Sequence, residues 1–487
     1  MAINSDTNRV ALGLIEEVTF GTTPATPAWQ ALRITGTPNL AFEPQTEISE
    51  EIRADRQITD LILVGAEAGG DIGMELSVDA QSEVLEGAMQ SDWALKAQRL
   101  DTQITSVGSG SYTVTDVNDA FAIGQLVKAE GFTNAANNAT FRAETASSAT
   151  SLVYASAVVE ASPPATAALR QVGFEGATGD LTTTAGGTNS IDSTTLDFTT
   201  LNLVPGEWLK VGGTAAVDQS ETAANNDWVR IAATPAITAT TIVLDVVPSG
   251  WTSDTNAAKT LQVWQGQSLL NGTTTKSYSL ERQYQDHSPV TYEVFTGMKV
   301  NTLSFDIGTA AIVSSTVNFM GKSSGFSTTR TASSTDIAAT TSEVLNSSSD
   351  VGRIGENGTA VGDPNFVLES SININNNLRR QNAVGSLGAV GIGSGEFNVS
   401  GSLNTYFGDA TVAQKVIDND QSSFDIRLFD TDSQAMIFDL PKLKFSSGAP
   451  TVSGKNEDVT VPLEFQAYRH PDLGYTMLVQ RFYQFDV

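Results

Sequence analysis

The sequence predicts a mainly β chain: a duplicated barrel or sandwich fold with one short helix per copy and small β modules inserted into the first copy. Three observations carry this: period-two alternation in short runs, a long-range internal repeat, and a weaker repeat inside the segment that interrupts it. Ser277-Tyr278-Ser279-Leu280-Glu281-Arg282 and Ser423-Phe424-Asp425-Ile426-Arg427-Leu428 alternate apolar and polar groups, the pattern of half-buried strands. Gly (41 residues) and many Ser, Thr, Asn and Asp punctuate such runs as turns. Helical spacing is confined to two windows. Residues 79–89 place Val84, Leu85, Ala88 and Met89 on one face behind Asp79 as a candidate cap, and 409–417 do the same with Val412, Ala413, Val416 and Ile417.

The two helices sit in matching contexts. Gly70-Asp71-Ile72-Gly73-Met74-Glu75-Leu76 precedes the first, and Gly395-Glu396-Phe397-Asn398-Val399-Ser400-Gly401 precedes the second. Ile52-Arg53 and Leu378-Arg379 open matching polar, glycine-bearing loops upstream, and 276–322 resembles 422–468 downstream. Copy 1 is therefore expected over 1–97 and 265–327, and copy 2 over 351–487. Residues 98–264 interrupt copy 1 as two β modules, about 98–172 and 173–264, in which the segment from Gly124 to Gly131 echoes that from Gly206 to Gly213. A surface loop is where such an insertion costs least, so it is expected to project outward. Residues 328–350, polar and without periodicity, are expected to be a linker.

Composition excludes several functions. The chain has 487 residues with Lys+Arg 27 against Asp+Glu 55, a net charge of −28 and a pI near 4.3. That balance opposes phosphate-neutralising nucleic-acid binding and docking on anionic membrane. Hydrophobic residues make up 40%, and the mean hydropathy is −0.09, enough apolar material for packed cores. No run of 18 apolar residues predicts a spanning helix, and the opening residues lack the basic-then-apolar pattern of a Sec signal. With no Cys and two His, disulfides, thiolate zinc sites and cysteine nucleophiles are excluded, and a His-rich metal centre nearly so. No cofactor is expected.

Catalytic motifs fail on context. Gly321-Lys322-Ser323-Ser324-Gly325 fits a nucleophile elbow in spelling, but a polar tract follows it instead of a helix, and only His287 and His470 exist as bases. Asp430-Thr431-Asp432 opens like a calcium loop, yet its sixth position is Ala435 and its twelfth Pro441. The glycines of 388–395 lack dinucleotide spacing. A non-enzymatic role follows.

The stretch Leu14-Ile15-Glu16-Glu17-Val18-Thr19-Phe20-Gly21-Thr22-Thr23-Pro24 is followed by Leu32-Arg33-Ile34-Thr35-Gly36 and by Glu51-Ile52-Arg53-Ala54-Asp55-Arg56-Gln57-Ile58-Thr59-Asp60. With Gly70-Asp71-Ile72, Tyr278-Ser279-Leu280-Glu281-Arg282-Gln283-Tyr284 and Asn318-Phe319-Met320-Gly321-Lys322, this succession resembles the major tail tube proteins of long non-contractile-tailed bacteriophages, the siphovirus tail tube family. Copy 2 lacks the Glu-Glu-Val-Thr-Phe-Gly opening and looks like the second half of duplicated, trimer-forming members. The resemblance implies a virion protein of the phage tail, made in the host cytoplasm, whose inner strands join into a barrel. Its rings would stack through long loops and conduct double-stranded DNA without specific binding. The implied partners are further copies of itself in a trimeric ring of pseudo-sixfold symmetry, and the tape measure protein inside the tube during assembly; no membrane is implied. A multi-module cell-surface or S-layer-like adhesin is the rival reading, with a β-rich carbohydrate-active enzyme third.

Candidate sites follow from the strand faces. Asp71 and Glu75 share a face opposite Ile72, Met74 and Leu76, and Glu396 and Asn398 share one opposite Phe397 and Val399. Glu281 and Asp425 are expected on the polar faces of their strands, opposite Leu280, Phe424 and Ile426. These six are the candidate lumen-facing residues, and solvation of an outer wall is the alternative for each. Arg53, Asp55, Arg56 and Asp60, in loop 45–68, and Arg379, Arg380 and Gln381, in loop 378–392, are the candidate ring-stacking residues.

Overall fold

The computed structural model describes every residue except 1–5, 37, 116–119, 149, 234–236, 486 and 487. Alternating residues form strands throughout, and the described residues contain two α-helices, α1 (Ser82–Met89) and α2 (Thr411–Asp418).

Two sets of strands share one pairing order. In the first half, Ala41–Ile48, Leu61–Glu75, Ser314–Gly321 and the second part of Thr291–Gly308 lie side by side, all antiparallel. The first part of Thr291–Gly308 turns into a second sheet, between Tyr278–Tyr284 and Ser323–Ser327, with Val10–Glu16 and Ala28–Ala31 beyond. The second half repeats this order. Val367–Asn375, Asn398–Tyr406, Thr460–Ala467 and the second part of Ala435–Gly448 form the first sheet. Val351–Glu356, Gln421–Phe429, the first part of Ala435–Gly448 and Leu478–Phe482 form the second. Even the bulges coincide: each long strand shifts register where it passes between sheets, between Val300 and Thr302 in one and between Phe445 and Ser447 in the other. A bulge bends a strand and increases its twist, which lets one strand serve two sheets.

The halves join edge to edge. Residues 302–308 pair antiparallel with 369–375, from Thr302 opposite Asn375 to Gly308 opposite Glu369. The four-stranded sheets thereby become one continuous sheet, and the two interiors fuse into one apolar cluster running from Leu12 to Val479. Phe305 and Phe438, one from each half, meet with ring centroids 4.8 Å apart.

Each helix closes one half. α1 buries Val84, Leu85, Ala88 and Met89, and the Tyr278 hydroxyl donates to the Glu83 carbonyl at 2.7 Å. Asp79 does not cap it as expected. The helix begins at Ser82 without a side-chain cap, and Asp79 instead stands 3.6 Å from Arg481. In α2, Asp409 Oδ1 accepts from the Thr411 N–H at 2.9 Å. Both helices stop at a left-handed residue, Gln90 (φ 50°) and Asn419 (φ 53°), which turns the chain out of the helix. After Asn419 the chain enters its next strand at Gln421. After Gln90 it first makes the inserted unit.

That unit has two apolar clusters, one within 97–169 and one within 174–263, and its main sheet runs through both because Ala168–Glu175 pairs with Gln262–Gln265. The expected outward-projecting insert is also tightly docked. Trp208, Trp228 and Trp264 share a cluster with Ala435, Ile437, Phe482 and Phe485 of the second half. On leaving the insert, Gln267–Leu270 pairs with Leu478–Phe482. The insert thus covers the outer face of the second half's second sheet. The expected linker is ordered too: Thr335–Ile337 pairs with Ala28–Ala31 in parallel, and Leu345 is fully buried in the shared core. Its Ser/Thr content hid a strap held by main-chain pairing.

Trp228 stacks on Phe429 at 5.6 Å and meets Phe482 edge-on at 5.1 Å. Trp228→Ala should lower stability by about 3–5 kcal/mol in denaturant unfolding, the usual cost of emptying a large aromatic site. A loss under about 1 kcal/mol would show that the insert does not support the second half.

Candidate functional site: the polar face of the joined sheet

Directly paired residues in an antiparallel sheet point to the same side, so the strand pairs form rows of side chains across the joined sheet. One row runs Glu75, Ser314, Asp306, Ser371, Ser402, Glu464 and Ser447. Another runs Asp71, Asn318, Thr302, Asn375 and Asn398. The intervening residues, among them Ile72, Phe319, Leu303, Ile374 and Val399, are buried. One face is therefore continuously polar across both halves. It carries seven carboxylates (Glu43, Glu67, Asp71, Glu75, Asp306, Glu369 and Glu464) against Lys299, Lys444 and the loop residue Arg380.

Hydrogen bonds fix many of these groups. Asn318 Nδ2 donates to Asp71 Oδ1 at 2.7 Å, Asn404 Nδ2 to Glu369 Oε1 at 3.1 Å, and Gln466 Nε2 to Asn398 Oδ1 at 2.9 Å. Amides and hydroxyls thus hold Asp71, Glu369 and Glu464 in place, while Glu67 is paired with Arg380.

Of the sequence candidates, Asp71, Glu75 and Asn398 lie on this face. Glu396 is exposed in the turn before Asn398–Tyr406, and its carbonyl accepts from Asn377 Nδ2 at 2.8 Å. It is not the counterpart of Asp71. Phe319 pairs with Gly70 and Phe465 with Gly401, so Gly401 corresponds to Gly70 and Ser402 to Asp71. The shared constraint is the glycine. A Cβ at Gly70 would lie 1.9 Å from the Asn39 carbonyl oxygen, and one at Gly401 would lie 2.1 Å from that of Ser371. Sequence reading missed Asp306, Glu369 and Glu464; their alternation with Phe305, Ser370 and Leu463 was the available signal.

The loops differ between halves. At the first, Arg53 pairs with Asp55 at 2.8 Å, Arg56 adopts φ 59°, and Asp60 Oδ1 accepts from the Leu61 N–H. This hairpin end presents Ile52 fully exposed and Leu61, Ile62, Leu63 and Val64 about half exposed. The second loop folds back on the first half. Arg379–Gln381 and Gly391–Gly393 make a small hairpin, and Leu378, Ala389 and Ile392 pack on Phe20 and Met320. Arg380 Nη2 donates to the Ala68 carbonyl at 3.0 Å, and its Nη1 pairs with Glu67 at 2.9 Å. Arg379 donates to the Ser394 carbonyl at 3.3 Å, while the Gln381 side chain lies beside Gly391 and Gly393.

The elbow-like Gly321–Gly325 segment joins two strands, Ser314–Gly321 and Ser323–Ser327, where Ser323 Oγ meets Thr296 Oγ1 at 2.8 Å. No helix among the described residues is long and apolar enough to cross a membrane. Two sets of strands in one pairing order, joined edge to edge, thus present one continuous polar face. The family of phage tail tube proteins matches the chain at residues 7–203 and 193–467, and the chain belongs to that family. It is accordingly a component of the phage tail that assembles with itself into a stacked tube. No curated protein matches it.

Glu281 and Asp425, expected on solvent-facing strand faces, are buried on both sides in the second sheet. Arg330 from the strap covers Glu281 at 2.8 Å, and Arg353 and Arg427 pair with Asp425. Period-two alternation finds a polar side; here that side faces buried arginines. Arg427 lies over the Trp208 ring at 4.2 Å, and burial lowers it to about 10. Nearby Asp439 contacts Arg230 at 3.3 Å, and its burial, opposed by that cation, pushes it up to about 6. A carboxyl raised above its unfolded value binds its proton more tightly in the folded chain. Its contribution is fully present below about pH 4 and is lost as pH rises through 6. The stability of the parent relative to Asp439→Asn should therefore fall between pH 4 and 6, by on the order of 3 kcal/mol. A pH-independent difference in chemical denaturation would contradict this.

Proposed function

We propose that the chain is the major tube protein of a siphovirus-type tail and carries two copies of the tube fold. The first copy comprises 1–97 with 265–327, the second 351–487, and 98–264 and 328–350 are the inserted modules and the strap. Three chains then close a ring of pseudo-sixfold symmetry that single-copy relatives would build from six. The repeated pairing order and the matched bulges support the duplication. The polar face lines the bore, the tape measure protein occupies it during assembly, and DNA passes through it at infection.

The continuous polar face carries this reading, with its carboxylates concentrated on the first half (Glu43, Glu67, Asp71, Glu75 and Asp306). A conduit must not hold its cargo, and carboxylates repel phosphates whereas a lysine-lined wall would bind them at every ring. The insert lies against the second sheet, so it leaves that face open. The exposed apolar hairpin end around Ile52 and Leu61 suits contact with the next ring.

Charge reversal to Lys at Asp71, Glu75, Asp306 and Glu369 together should leave tubes assembled but slow or stall DNA ejection from the particles. Ejection at the parent rate, in particles confirmed to carry the four lysines, would remove this face from the bore.

A further inference from the structure

The junction inside the chain is a template for the junction between chains. Resting on the ring reading above, we propose that residues 39–43 of one chain pair antiparallel with 447–451 of a second copy, with Glu43 opposite Ser447, Phe42 opposite Gly448 and Ala41 opposite Ala449.

The register follows from two correspondences. The shared bulge aligns the long strands: the skipped residues are Asn301 and Ser446, so Thr302, Leu303 and Ser304 correspond to Ser447, Gly448 and Ala449. The crowded glycines align the edge strands. Gly70 sits against Asn39 as Gly401 sits against Ser371. Ala41 pairs with Gly69 as Asn373 pairs with Ser400, which makes Ala41, Phe42 and Glu43 the counterparts of Asn373, Ile374 and Asn375. Within the chain, Thr302 faces Asn375, Leu303 faces Ile374 and Ser304 faces Asn373. Replacing each residue by its counterpart gives the proposed pairs.

Neither edge is paired with a further strand of its own chain, although the Leu40 carbonyl accepts from Arg282 Nη2 at 3.1 Å. Ile374 is fully buried inside the chain, while its counterpart Phe42 is 37% exposed. Ser446, Ser447 and Ala449 are exposed, and Gly448, the counterpart of buried Leu303, is half-buried. On the core side, the internal pair Leu303 and Ile374 is two medium side chains. The proposed pair is a large ring opposite a glycine whose side-chain position is bordered by Leu463 and Val416, apolar groups on which that ring can pack. The ladder also has defined ends. Asn376 donates its N–H to the Asn301 carbonyl at 2.9 Å; its counterpart Pro44 at one end, and Pro450 opposite Leu40 near the other, have no N–H to give, so the ladder's hydrogen bonds centre on Phe42 and Gly448. Main-chain pairing suits partners that each carry −28, because it needs no opposite charge.

The chain has no cysteine, so introduced pairs report alone. Ala41 and Ala449 lie on the polar side of the sheet, like Ser304 and Asn373, and opposed Cβ atoms in such pairs stand within about 5.5 Å. Ala41→Cys with Ala449→Cys, oxidised in assembled tubes, should give covalent dimers and closed trimers on a denaturing, non-reducing gel. Either single variant should stay monomeric. Ser304→Cys with Asn373→Cys should close within one chain, assembled or not. Tubes with the internal pair closed but no linked chains from the first variant would overturn the register while leaving the ring reading standing. A parent protein that forms neither rings nor tubes would overturn both. Should the double variant fail to assemble, hydrogen exchange on parent tubes decides: protection of 39–43 and 447–451 only on assembly supports the pairing, and unchanged exchange refutes it.

Discussion

The antiparallel ladder between 302–308 and 369–375 is the contact on which the rest of the molecule depends. A second ladder, Gln267–Leu270 with Leu478–Phe482, and the insert's tryptophans also tie the halves together, but only this one joins their four-stranded sheets. With it, the two four-stranded sheets share a surface, a core and a polar face. A ladder of this kind is made from main-chain groups that any strand presents, so it tolerates the heavy negative charge of both partners. It also leaves one unpaired edge at each end of the joined sheet. An open edge is normally a hazard for a soluble protein, and in a chain that assembles with itself it is a place where a further strand can add.

The opposite side of each half follows a different logic. The strap adds a strand beside Ala28–Ala31 of the first half and brings Arg330 onto Glu281, while the insert packs on the second half's second sheet. These contacts bury charge. Glu281, Asp425 and Asp439 are held only because arginines reach them, and Arg427 is sandwiched near two tryptophans. Removing one partner of such a group leaves the other buried and unpaired, which is why the interface behaves as part of the fold rather than as an appendage. The polar face of the joined sheet carries its carboxylates in the open and bonds them to amides, so their charge faces solvent.

Much of the architecture was legible in the sequence because period-two alternation and glycine placement report directly on strand faces. The mainly β class and the two short helices appear where those signals put them. Three features were not legible. The strap looked like a linker because its pairing to Ala28–Ala31 uses backbone groups and a single buried Leu345. Glu396 was matched to Asp71 by a glycine-carboxylate spelling, whereas the steric demand that defines the repeat sits at Gly70 and Gly401. Glu281 and Asp425 alternate like surface residues, and only the third dimension supplies Arg330, Arg353 and Arg427 to cover them.

Cryo-microscopy of the assembled tube tests the central claim most directly, since ring symmetry and the orientation of the sheet are read from one map. The account predicts three chains per ring, with each chain's two halves in near-equivalent positions and Asp71, Glu75 and Asp306 facing the bore. Six chains per ring, or a joined sheet whose apolar Leu303 and Ile374 side faces the bore, would contradict it.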